Sequence, residues 1–139
     1  MDGGKILTSH PRPYDLYFVE LEFEDAPGIF AKHPALLIKI GNDYSKVFKI
    51  SSQYNNKPQE IQKIYYPIKQ LDGTGLWKKS YVDTHHFYKV SSSFLFKNKA
   101  IGKLSDIDKH YLSEFVNTHK KEIQKVQEMV KKQRTKNER

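Results

Sequence analysis

The feature that most constrains this chain is a change of hydrophobic period at Ser105. Before it, apolar residues fall in short alternating or continuous runs, the spacing of strands. After it they recur every three to four residues, the spacing of a helix. Tyr14–Phe23 alternates cleanly, with Tyr17, Val19, Leu21 and Phe23 on one apolar face and Leu16, Phe18 and Glu20 on the other. Asp25-Ala26-Pro27-Gly28 is expected to end this strand, with a loop running to Lys32. Pro34–Ile40 is a nearly continuous apolar run, the pattern of a strand buried on both faces, and Gly41-Asn42-Asp43 turns it back into Ser45–Ser52. The spacing predicts a hairpin from these two.

Further strands are predicted at Ile61–Ile68, Ser80–Asp83, His86–Val90 and Ala100–Leu104, with Asp72-Gly73-Thr74-Gly75 the strongest turn signal and Ser91-Ser92-Ser93 an interruption. Ser105, with Asp108 three residues on, predicts a helix start. From Leu112 the apolar spacing runs Leu112, Val116, His119, Ile123, Val126, Val130, which resembles a short coiled-coil seam. The expected architecture is therefore mainly β: one domain over 1–139, with a small curled sheet or barrel over about 12–104. A C-terminal helix follows over about 105–133, and a basic tail frays over 134–139.

Composition narrows the chemistry. The chain has no cysteine, which excludes disulfide scaffolds, thiolate zinc sites and cysteine nucleophiles. No apolar run reaches the roughly 18 residues of a membrane span, and Met1-Asp2-Gly3-Gly4-Lys5 opens no apolar signal segment, so a cytoplasmic location without membrane association is expected. The net charge is +8; residues 117–139 hold eight basic and three acidic side chains and so carry +5 of it. Such a balance favours polyanionic partners, nucleic acid or an acidic protein, because each neutralised phosphate releases counterions.

His10, His110 and His119 read as structural or solvent-facing. His85-His86 points to opposite faces of a strand and cannot chelate jointly without a bulge; with no HxxxH or HExxH pattern, no metal or cofactor is expected. His33, just before Pro34, sits at the rim of the buried strand. If the hairpin pairs as predicted, Ser51 of Ser51-Ser52-Gln53 lies near His33 at the open end. A histidine beside a hydroxyl can do acid–base work on a phosphodiester, but strand-end serines also serve simply to satisfy backbone groups; the residues alone leave both readings open. Trp77-Lys78-Lys79-Ser80-Tyr81 and Lys63-Ile64-Tyr65-Tyr66 interleave cations with aromatics, which suits either base stacking with phosphate contact or a β-domain core.

In order and spacing, several segments resemble the MazF/PemK-type toxins of bacterial toxin–antitoxin systems. Arg12-Pro13-Tyr14-Asp15-Leu16-Tyr17-Phe18-Val19-Glu20-Leu21 resembles their opening strand, and Phe30-Ala31-Lys32-His33-Pro34-Ala35-Leu36-Leu37-Ile38 their second. Ile50-Ser51-Ser52-Gln53 resembles the end of the third, Ser80-Tyr81-Val82-Asp83 a later strand, and Ile101-Gly102-Lys103-Leu104-Ser105 the lead into a C-terminal helix. The resemblance covers about residues 12–116. It implies an SH3-like barrel with appended helices, a homodimer, and metal-independent cleavage of single-stranded RNA (mRNA) by attack of the 2′-hydroxyl, with a cognate antitoxin as protein partner. His33 and Ser51 stand where the family carries its catalytic arginine and threonine. Serine keeps the hydroxyl, whereas histidine replaces a permanent cation with a group that titrates near pH 6.5. The resemblance then implies His33 in acid–base duty with Lys32 supplying charge, and Ser52, Gln53, Asp83 and His86 (or its neighbour His85) facing the RNA. Its alternatives are a catalytically silent RNA- or protein-binding module and a gyrase-directed toxin of the same fold.

Overall fold

The computed structural model describes residues 10–23 and 26–137, with side chains to Gln133; part of the expected lead-in and residues 138–139 of the expected frayed tail lie outside them, while 134–137 do not fray but continue the last helix. The elements are β1 (Asp15–Phe23), β2 (Ala26–Lys39), β3 (Tyr44–Ser51), α1 (Gln59–Gln62), β4 (Tyr65–Pro67), β5 (Tyr81–Ser91), α2 (Ser92–Lys97), β6 (Gly102–Lys103), α3 (Asp106–Thr118) and α4 (Lys120–Asn137). Among the described residues the strands form one six-stranded antiparallel sheet in the order β4-β5-β3-β2-β1-β6.

The predicted hairpin is β2–β3, with Ala35 opposite Lys49, Leu36 opposite Phe48 and Leu37 opposite Val47. Ala35, Leu36 and Leu37 are fully buried, because both sheet faces are covered there. One face packs Leu16, Leu36, Ile50, Val82 and Leu104 against Leu112 of α3. The other gathers Tyr17, Val19, Leu37, Val47, Tyr88 and Leu95. Ile123 and Val126 of α4 close a third cluster with Ile64, Tyr65 and Tyr81.

Several expectations are corrected. The loop expected to run to Lys32 is strand: β2 begins at Ala26, and Pro27-Gly28-Ile29 bulges between the pairs Glu22–Phe30 and Phe23–Ala26. Gly28 takes φ +86° and donates its N–H to Glu22 Oε2 at 2.7 Å, so the Pro-Gly pair shapes a bulge instead of ending the strand. The strand expected at Ile61–Ile68 shrinks to Tyr65–Pro67, because Pro58 starts the helical turn α1. The two strands expected over 80–90 are one, β5, carrying a large bulge. Ser91 does not merely interrupt; its hydroxyl caps α2 by accepting from Phe94 N.

Among the described residues the barrel is not closed. β4 and β6 remain the two edges, because Pro67 has no N–H to donate and β6 is two residues long. Instead, the first turn of α3, which follows directly on β6, is bonded to the chain leaving β4. Asp108, fully buried, accepts from Tyr66 Oη at 2.5 Å, from Lys69 N and Gln70 N at 2.9 Å, and from Ser105 Oγ at 3.1 Å. The single C-terminal helix is also broken, at His119. Thr118 Oγ1 and His119 Nδ1 both bond the Phe115 carbonyl, at 3.2 and 2.8 Å, in competition with the helical ladder, and the His119 ring stacks on Phe115. Beyond the break α4 packs on β5, where it becomes part of the site.

Candidate active site

The open end of the sheet carries two adjoining cavities that share His33. Register places the residues. Lys49 lies opposite Ala35, and His33 is two residues before Ala35 on the same face of β2, so Lys49 is its diagonal neighbour. Ser51 ends β3 two residues beyond Lys49, and it lines one cavity of about 440 Å³ with His33, Ser52, Gln53, Trp77 and Lys78. Ser51 Oγ accepts from Gln53 N at 3.0 Å, and Gln53 Oε1 accepts from Asn56 Nδ2 at 3.0 Å. The strand-end serine therefore does satisfy a backbone group while standing at the cavity.

The second cavity, about 420 Å³, is lined by His33, Lys49, Lys57, Asp83, His85 and, from α4, Val130 and Gln133. Its histidine comes from the β5 bulge. Phe48 pairs with Phe87 and Ile50 with Val82, so Lys49 alone faces the four residues Asp83–His86. Within the bulge Asp83, 2 % exposed, accepts from His85 Nδ1 at 2.5 Å and from His85 N at 3.3 Å. Because a carboxylate accepts, Nδ1 donates to Asp83, and this bond orients the ring. The bulge is pinned on both sides. Thr84 donates through N and Oγ1 to the Ile64 carbonyl at 3.3 and 2.6 Å, and Gln127 Nε2 of α4 donates to the His85 carbonyl at 2.9 Å.

Burial first, and then the Lys49 ammonium, hold the pKa of His33 below its ordinary 6.5. At neutral pH the imidazole is neutral and basic beside a cation.

Of the other expected residues, Lys32 lies opposite Glu20 on the sheet face away from His33, so the cation beside His33 is Lys49 and not Lys32. His86 packs edge-on against Tyr88 at 4.4 Å and lines different cavities, with Thr84, Gln127 and Lys131 in one of them. Of the pair it is His85 that shares the His33 cavity. Lys49, Lys57 and the α4 wall were missed. Lys49 had a signal, since alternation puts it on the same face as Ser51 two residues on. The α4 wall had none, because it depends on contacts between α4 and β5, such as that of Gln127 with the His85 carbonyl, 42 residues apart in the chain. Among the described residues no group of three or more His, Asp or Glu side chains is placed to hold a metal ion, and no helix is long and apolar enough to cross a membrane.

Compared with known proteins, the chain matches no protein-family model, and no curated protein matches it.

Proposed function

We propose that this protein is a metal-independent endoribonuclease of MazF/PemK type, its sheet and helices a variant of that family's SH3-like barrel. On this reading it is a cytoplasmic homodimer and the toxin of a toxin–antitoxin pair. The observation that carries the activity is His33 standing between Ser51 on one side and Lys49 with an Asp83-oriented His85 on the other. Cleavage at a ribose 2′-hydroxyl needs a base, a cation for the phosphate oxygens and an acid for the leaving oxygen, and this set supplies one of each.

Neutral His33 takes the 2′-hydroxyl proton as that oxygen attacks phosphorus. Lys49 and the Ser51 hydroxyl stabilise the non-bridging oxygens. The bond from phosphorus to the 5′-oxygen breaks, and protonated His85, held by Asp83, gives that oxygen its proton. The products are a 2′,3′-cyclic phosphate and a 5′-hydroxyl. The exposed Ile29 and Phe30 of β2 offer apolar surface for a second copy or for an antitoxin, which supports the partner half of the reading.

Incubating the purified protein with a long single-stranded RNA in EDTA tests this directly. Fragments ending in cyclic phosphate are expected, and His33→Ala combined with Ser51→Ala should abolish them. Bound but intact RNA would replace the proposal with a silent binding module; intact RNA with inhibited gyrase would replace it with a gyrase-directed toxin.

A further inference from the structure

The single tryptophan of the chain, Trp77, leaves 85 % of its surface in solvent. An indole so exposed forgoes most of the apolar burial that makes the residue useful in a fold. It is also held there by a rigid support. Thr74, fully buried, donates from N and Oγ1 to the Leu71 carbonyl at 3.1 and 2.6 Å and accepts from Leu76 N at 3.1 Å. The Gly73 carbonyl accepts from Lys103 N of β6 at 2.8 Å. Gly75 takes φ +80°, so close to β6 that an added Cβ would stand 2.2 Å from the Ile101 carbonyl oxygen. The loop is thus seated against the sheet edge and presents the indole at the rim of the Ser51 cavity. Lys78, which lines the same cavity, has its Nζ 5.1 Å from the ring centroid.

We infer that Trp77 is a base-stacking platform: a nucleobase of single-stranded RNA lies on the indole while Lys78 holds an adjoining phosphate. The platform sits on the Ser51 side of His33, away from Lys49 and His85, and sets where the strand is gripped relative to the bond that breaks. An exposed aromatic ring beside an ammonium group fits a strand that offers a base and a phosphate at every step. The inference rests on the RNA reading of the groove, so its test separates the two.

Because residue 77 is the only tryptophan, intrinsic fluorescence of the full chain reports on it alone. Titration with a 2′-O-methyl oligoribonucleotide, which lacks the attacking hydroxyl, should give saturable quenching; an abasic oligomer of equal length should bind with little quenching. Trp77→Ala should raise KM for RNA cleavage about tenfold or more with kcat within about twofold, and Trp77→Phe should restore most of the loss. Equal quenching by the abasic oligomer, an unchanged KM in Trp77→Ala, or an emission shift on dilution of the protein alone would overturn the platform. Cleavage without quenching removes the platform and keeps the nuclease; base-dependent quenching without cleavage does the reverse.

Discussion

Two aspartates, both buried, separate architecture from chemistry in this molecule. Asp108 is closed on every side by a phenol, two backbone N–H groups and a serine hydroxyl. Asp83 gives its carboxylate to one neighbour, His85, whose ring stands at a cavity. The first carboxylate is saturated and can only hold the fold. The second spends its hydrogen-bonding capacity on orienting a titratable group, the arrangement a proton-transfer site needs. Burial alone would not distinguish them; the identity of the donors does.

That contrast is easiest to break at Asp108. Asp108→Ala leaves the Tyr66 hydroxyl and the Lys69 and Gln70 N–H groups without their acceptor, and should lower stability by roughly 3 kcal/mol. Calorimetry should read this as a fall in Tm of roughly 10 °C. A variant as stable as the parent would show that the α3 junction does not stand in for barrel closure.

Asp83→Asn should do the opposite, costing only about 1 kcal/mol of stability while lowering RNA cleavage by a factor on the order of 10² to 10⁴. Were it to unfold the protein and leave the surviving activity per folded molecule intact, the two aspartates would be of one kind.

The smallest effect is the most diagnostic. Burial and Lys49 hold His33 below its ordinary pKa, so cleavage should rise with pH through an acidic limb lying below 6.5, where His33 loses its proton. Removing the cation in Lys49→Met should raise that pKa and move the limb to higher pH, besides lowering the rate. A limb that stays in place assigns the base to another group. Linkage has the same sign. Below about pH 6.5 the unfolded chain binds a proton that folded His33 resists, so denaturant titrations should find stability falling as pH drops through that range.

Local pattern made part of this readable. The apolar run at Pro34–Ile40, the turn at Gly41 and the return strand specified the hairpin, and His33 and Ser51 line one cavity at its end; the register was not specified, because an irregularity between Leu37 and Lys39 shifts it by one residue. Ser105 was readable as a helix cap for the same reason, since its hydroxyl acts on Asp108 N three residues away. The β5 bulge was not. Alternation presumes a regular ladder, and nothing near Asp83–His86 signals that Thr84 will anchor to the Ile64 carbonyl twenty residues before it. Lys32 was the natural cation beside His33 by adjacency, but adjacent strand residues face opposite ways and the charge came from the neighbouring strand.

What the sequence determined by itself is therefore set by residues within a turn or a hairpin of one another: the strand-to-helix switch at Ser105 with its cap, the β2–β3 hairpin, and the presence of His33 and Ser51 at one end of a sheet. Tertiary structure alone decided which histidine of the pair meets His33, where Asp108 bonds, and that α4 packs on β5 to form a wall. Those outcomes depend on contacts between segments far apart in the chain, and an energy that exists only when distant groups meet leaves no mark in local periodicity.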